Sequence, residues 1–244
     1  MEQPVATPRV NEIFLARFER WALPRMAAAL PAWVTPDTLT LVALVGTAMT
    51  AAGYVLAGES LLWLHVASLG YVVHWWGDSL DGTLARVRDI RREKYGFFVD
   101  HQADAISSAA IFIALGAGPL MRMPLALGIL VGFLLMMNLV SMVEIARGVF
   151  KISFYGGGPT ELRIVMIAAG TAVWAFGNPT TVLWGEVWTA FDLFGLVAVP
   201  GVAVLYLSSA ARETVLISRL DPRPTPGASA AQAREPDRPD GGAR

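Results

Sequence analysis

Cysteine is absent from the 244 residues, which excludes a disulfide framework and any thiolate site, catalytic or metal-binding. Charge is thin as well. Asp, Glu, Lys and Arg together make up 16% of the chain, net charge is −1, and no basic block forms the footprint of a nucleic-acid partner. Met1 to Phe14 lack the basic, apolar, then small-residue order of a cleaved signal peptide. No internal repeat occurs. What fills the space is apolar: 55% of residues are hydrophobic and mean hydropathy is +0.50. The excess is gathered into long runs, which is the composition of a membrane protein. The length suits one sizeable domain.

Residues 1–10 carry Pro4 and Pro8 and read as a loose leader. Between Asn11 and Leu23, Phe14, Leu15, Phe18, Trp21 and Ala22 recur at helical spacing, with Glu12, Arg17, Glu19 and Arg20 on the other side. This predicts a short amphipathic helix, either flat in the bilayer interface or packed on the rest of the protein. Thr35-Pro36-Asp37 is a helix start: a hydroxyl cap, a proline at the first position and an acid at the positive end. Six apolar spans follow, at about 38–57, 61–86, 96–117, 124–147, 161–177 and 187–210. Each approaches or exceeds the ~20 residues that cross a hydrocarbon core. The expected fold class is all-α integral membrane, six transmembrane helices behind an interfacial one. The expected division is an N-terminal segment 1–37, a six-span domain 38–212 and a cytoplasmic, mostly disordered tail 213–244, in which Pro, Ala, Arg, Asp and Gly take over from Asp221 onward. Basic residues crowd the leader, the 87–95 loop, the 148–160 loop and the tail, whereas the opposite loops hold only Arg122. The positive-inside rule therefore places both termini and the 87–95 loop in the cytoplasm.

The stretch from Asp78 to Asp104 carries the chemistry. Asp78 and Asp81 share one helical face near the cytoplasmic end of the second span; Asp100 and Asp104 share another at the start of the third. A short antiparallel connection brings the pairs together. Four carboxylates at the edge of a bilayer repel one another and resist desolvation, so something cationic must offset them. Hard oxygen ligands suit magnesium or manganese. Around them, Gly82 and Ala85 leave room against a helix backbone, Arg86 offers a fixed fork for phosphate oxygens, and Gly96 precedes the second pair. Metals, arginine and small residues make a pyrophosphate site.

The string resembles the signature of the CDP-alcohol phosphotransferase family: Asp78, two residues, Asp81-Gly82, two residues, Ala85-Arg86, a loop, Gly96, three residues, Asp100, three residues, Asp104. All eight fixed positions are present. The loop of nine residues, 87–95, is one longer than usual, in the connection where length is best tolerated. Asp37 stands where the family often has asparagine. The amphipathic leader, the Thr35-Pro36 start and the six spans also fit, so the resemblance covers about residues 11–210. It implies that Asp78, Asp81, Asp100 and Asp104 hold a two-metal centre and that Gly82, Ala85, Arg86 and Gly96 form the CDP site. It also implies attack of an acceptor hydroxyl on the β-phosphorus of a CDP-alcohol, release of CMP, and Asp104 as the usual base. The partners implied are a CDP-alcohol donor, a lipid or small-alcohol acceptor and the membrane, and a homodimer would fit. A bacterial inner membrane, with the site facing the cytoplasm, is the expected location.

His101 follows Asp100 directly, an Asp-His step similar to the choline and ethanolamine phosphotransferase branch, where the histidine is a candidate base. It tips the reading toward an aminoalcohol donor with diacylglycerol as acceptor. The alternative is CDP-diacylglycerol donating to a soluble alcohol. A rival of another class is a divalent-cation transporter, since acids within spans often mark ion paths. His74 either orients Asp78 or is a core histidine. Glu161 and Arg163, beyond the glycines at 156–158, face the metal site or form an ordinary helix start. Glu144 and Arg147 are expected to pair with each other.

Overall fold

The computed structural model describes residues 16–147 and 159–221. The leader with Pro4 and Pro8, the first turn of the amphipathic segment, the glycines at 156–158 and the tail from 222 lie outside the described residues, as does the side chain of Glu161. Among the described residues seven helices run in order: α1 Ala16–Ala29, α2 Pro36–Leu56, α3 Trp63–Val87, α4 Glu93–Ala117, α5 Met123–Arg147, α6 Pro159–Phe176 and α7 Ala190–Leu220. Among the described residues, α2, α5 and α7 are long and apolar enough to cross a membrane by length and composition. In α3 and α4 the apolar run is broken by the polar residues of the candidate site.

Helix α2 begins as its sequence dictates, with Thr35 Oγ1 accepting from the backbone N–H of Thr38 and Pro36 in the first turn. It packs along α3 through glycines. A β-carbon placed on Gly46 would fall 2.4 Å from the backbone nitrogen of His74, and one on Gly77 would fall 2.5 Å from the carbonyl oxygen of Leu39. Gly53 and Gly70 meet the same obstruction. These glycines lie seven apart on each helix, hence on one face, and they let two backbones touch where any side chain would hold them apart. Polar pairs lock the seam: Thr47 Oγ1 donates to Ser107 Oγ on α4 at 2.8 Å, and the Tyr54 and Tyr71 hydroxyls meet at 3.1 Å.

Helix α1 lays Leu23 and Ala27 against Val34, Leu39, Leu80 and Leu84. Glu19 joins it to two neighbours, accepting from Trp75 Nε1 at 3.2 Å and from Thr160 Oγ1 at 2.8 Å. Phe18 and Trp21 remain exposed. The connection from α1 to α2 is held by Arg88, whose guanidinium donates to the carbonyls of Leu30, Pro31, Ala32 and Val34. These carbonyls follow the end of α1, where a cation is favourable.

Four expectations need correction. The fold is not purely helical: β1 Thr180–Leu183 and β2 Glu186–Thr189 form an antiparallel hairpin where the sixth span was expected to begin. Trp184 and Gly185 both adopt positive φ (54° and 81°), the two-residue turn whose twist matches paired strands, and Thr, Val and Trp flank it. The boundary at 212 falls inside α7, which continues to Leu220. Its amphipathic last turns, anchored by buried Glu213, extend the helix past its apolar run. Helix α4 starts at Glu93, so Gly96 stands within its first turn rather than as the first residue of the third span. Arg147 pairs not with Glu144 but with Glu213, across to α7.

Candidate metal centre and its surroundings

Helices α3 and α4 are antiparallel, and the loop between them is short, turning through Asp89 at φ 55°. The result is convergence of three sequence-predicted acids. Carboxylate oxygens of Asp78, Asp100 and Asp104 lie within 4.8 Å of one another, close enough to share one ion. Asp81 stands slightly apart. Its Oδ2 accepts from Thr40 Oγ1 on α2 at 2.8 Å, and its Oδ1 accepts from the Gly82 backbone N–H. It stays within electrostatic reach of Asp78 and Asp100. An all-carboxylate donor set of this spacing fits a hard divalent cation, and fits a soft or imidazole-preferring metal poorly.

Arg163, one turn into α6, donates from Nη2 to Asp78 Oδ2 at 2.7 Å. Its charge also reaches Asp104 and His74. His74 is buried one turn before Asp78, with its Nδ1 unpaired among the described residues. Of the two readings open for Arg163, the structure sets it beside the acidic cluster.

The sequence model of the CDP-alcohol phosphatidyltransferase family matches residues 33–207, well over half of the chain. The chain belongs to this family. It is a membrane protein and a transferase of phosphate groups in phospholipid synthesis. No curated protein is matched. Among solved structures, phosphatidylinositol phosphate synthase of Mycobacterium tuberculosis, with CDP-DAG bound, is similar over 81% of this chain and 94% of that one. The TM-score is 0.52 and the identity 22%, a likeness of fold.

In this CDP-alcohol phosphatidyltransferase the small signature residues face open space. A β-carbon on Gly96 would meet nothing within 4 Å, and one on Gly82 would meet only Arg86 Nη1 at 3.6 Å. They differ in kind from Gly46 and Gly77, which are closed by backbone. Arg86 donates to Thr83 Oγ1 at 2.8 Å and lines, with Glu19, Arg20, Leu23 and Thr83, a cleft of mixed polar and apolar lining of about 410 Å³ beside α1. Ala85 is half-buried beside it. His101 is not part of the carboxylate group. Its ring lies against Phe97 at 4.1 Å between centroids, and its Nδ1 is buried with no hydrogen-bond partner among the described residues.

Sequence reasoning missed Thr40, Arg88 and the glycine seam. The seam had a signal, glycines at a seven-residue interval on two consecutive helices. Thr40 and Arg88 had none, because their partners are remote in sequence.

Proposed function

We propose that this family member transfers a substituted phosphoryl group from a CDP-linked alcohol to an acceptor hydroxyl, releasing CMP, with Asp78, Asp81, Asp100 and Asp104 as its metal ligands. The observation that carries the reading is the convergence of Asp78, Asp100 and Asp104 beside the unobstructed faces of Gly82 and Gly96. A pair of magnesium or manganese ions held there would neutralise the pyrophosphate and polarise the phosphorus under attack. The chain's own residues do the rest. Arg86 holds phosphate oxygens in a fixed fork. Gly82, Ala85 and Gly96 leave the helix backbones open to the nucleotide. Thr40 fixes the rotamer of Asp81, so the carboxylate is oriented before any ligand arrives. As the acceptor oxygen bonds to the β-phosphorus, the bond from that phosphorus to the bridging oxygen breaks, and CMP carries the electron pair away. The acceptor's proton passes to His101 or Asp104. A metal-bound carboxylate is a poor base, which favours His101.

The Asp-His step favours an aminoalcohol-type donor and diacylglycerol as acceptor. A second reading, CDP-diacylglycerol donating to a soluble alcohol, is favoured by the fold neighbour with CDP-DAG bound. In either reading α2 to α7 span a bacterial inner membrane, both termini and the metal centre face the cytoplasm, and α1 lies along the interface with Phe18 and Trp21 outward. A homodimer fits the family. The test is CMP release by the purified protein with each CDP-linked donor, with and without magnesium. A divalent-cation flux into vesicles, unaccompanied by CMP release from any donor, would instead establish the transporter reading.

A further inference from the structure

The β1–β2 hairpin has no part in the chemistry above, and its geometry is more deliberate than a connection requires. Two-stranded hairpins are marginal by themselves in water, yet this one is fastened at many points. Arg122, in the connection from α4 to α5, pairs with Glu186, donates to the Val187 carbonyl at 2.9 Å and lies over the Trp188 ring at 4.3 Å. Thr189 Oγ1 donates to the Leu120 carbonyl at 2.6 Å, while Asp192 closes a capping box with Thr189 and accepts from the Arg122 backbone N–H. The register pairs Leu183 with Glu186 and Thr181 with Trp188, so Arg122 grips one face.

The opposite face carries two valines between the Thr180–Thr189 pair and the turn, and Trp184 at the turn stands edge-on to Trp188, 5.6 Å between centroids. Val182 and Val187 sit directly across from each other, 67% and 60% exposed, and Trp184 at the turn is 79% exposed. On the flanking helices, Phe176 at the end of α6 and Phe194 and Val197 on α7 are exposed as well. The hairpin leaves α6 thirteen residues beyond Arg163, ~20 Å along the axis from the metal cluster. The 18 residues of α6 rise ~27 Å, close to the ~30 Å of a hydrocarbon core, so the hairpin emerges at the boundary rather than beyond it. Its outer strand edges carry backbone groups that need water, which rules out the core itself. Arg122 is matched by Glu186, so the patch presents no unpaired charge.

Resting on the membrane-spanning reading above, we infer that the Val182–Val187 face and Trp184 insert into the lipid interface of the leaflet opposite the metal cluster. There they anchor the α6–α7 end of the bundle. The occupant is a lipid surface, by the emergence of the hairpin at the boundary of the hydrocarbon core at the end of α6 and by the preference of tryptophan for that layer.

Because the chain has no cysteine, single labels can be placed at will. The full-length protein carrying Val182→Cys or Trp184→Cys is labelled with a nitroxide, reconstituted in phosphatidylcholine–phosphatidylglycerol vesicles, and compared for collisions with oxygen and with a water-soluble nickel chelate. Glu59→Cys, exposed in the connection from α2 to α3, is the aqueous reference; Val204→Cys, exposed midway along α7, is the lipid reference. At 182 and 184 the oxygen-to-nickel ratio should exceed that at 59 severalfold and approach that at 204. A ratio at 182 and 184 equal to that at 59, with 204 still in lipid, overturns the anchor alone. Shielding of 182 and 184 from both reagents, the mark of a covering protein, overturns it too. Nickel access at 204 would overturn the spanning reading itself.

Discussion

Gly77 tests whether the glycine seam positions the chemistry as well as the helices. A β-carbon there would lie 2.5 Å from the Leu39 oxygen and 2.6 Å from the Ala43 nitrogen. Ordinary contact needs ~3.5 Å, so in Gly77→Ala helices α2 and α3 must separate by roughly 1 Å. Both obstructing atoms are backbone and cannot swing aside. Overpacking of this kind costs ~3 kcal/mol, and the better helix propensity of alanine returns ~1, leaving a net loss of ~2 kcal/mol. For a domain of this size that is a fall of ~4–8 °C in the unfolding midpoint. The same shift carries Thr40 away from Asp81. Their contact, now 2.8 Å, would stretch beyond hydrogen-bonding distance and free the Asp81 carboxylate to turn. A misplacement of ~1 Å at a reacting centre can cost ~10²-fold in rate. The assays are thermal unfolding of the purified protein in detergent and CMP release on the preferred donor. A variant with wild-type midpoint and wild-type turnover would refute the close approach of α2 and α3 and, with it, the coupling of that seam to the site.

Gly82→Ala and Gly96→Ala should do the reverse, keeping or slightly raising the unfolding midpoint because nothing obstructs the new methyl, while weakening donor binding, read as a higher KM. Asp78→Asn, Asp81→Asn and Asp100→Asn should each nearly abolish turnover. In the same proteins, manganese titration followed by electron paramagnetic resonance should show weakened binding; near-normal activity and metal affinity in any two would end the two-metal reading. His101→Ala should lower turnover by ~10²–10⁴-fold, the usual worth of a general base, with donor binding little changed. Ordinary turnover in that variant would return the role to Asp104.

How far the sequence could be read depended on the distance over which a signal acts. The start of α2 was legible because Thr35, Pro36 and Asp37 form a local cap, and the aspartate pairs because spacings of three and four fix a helical face without reference to anything else. The convergence of Asp78 with Asp100 and Asp104 needed only a short antiparallel connection. Its finer division did not follow: Asp81 is drawn aside by Thr40, 41 residues earlier in the chain, and no periodicity encodes that. Arg147 was paired by proximity in sequence with Glu144, whereas its partner is Glu213, 66 residues on. The hairpin was lost for a different reason. Val187 and Trp188 join smoothly onto the apolar run of α7, and hydropathy does not distinguish a strand leading into a helix from the helix itself. The turn at Trp184-Gly185 was the local sign that a strand pair intervenes.

The charge balance of the cluster connects its fold to its function. Three carboxylates whose oxygens lie within 4.8 Å of one another repel pairwise by ~3 kcal/mol or more at an effective dielectric of ~20. Asp81 adds to the load. Arg163 meets it with a contact to one oxygen of Asp78, and the four acids outnumber this cation. A chain selected for stability alone would not hold such a group together, since apolar residues would serve better at the same positions. The seam beside the acids is a close backbone approach of α2 and α3 at Gly46, Gly53, Gly70 and Gly77, with Thr40 and Thr47 on the helix that braces α3 and α4. Gly77, the residue before Asp78, thus seats the first acid against a backbone that cannot swing aside. That is the arrangement expected of a site whose missing charge arrives with its ligands, and whose geometry must already be set when they do.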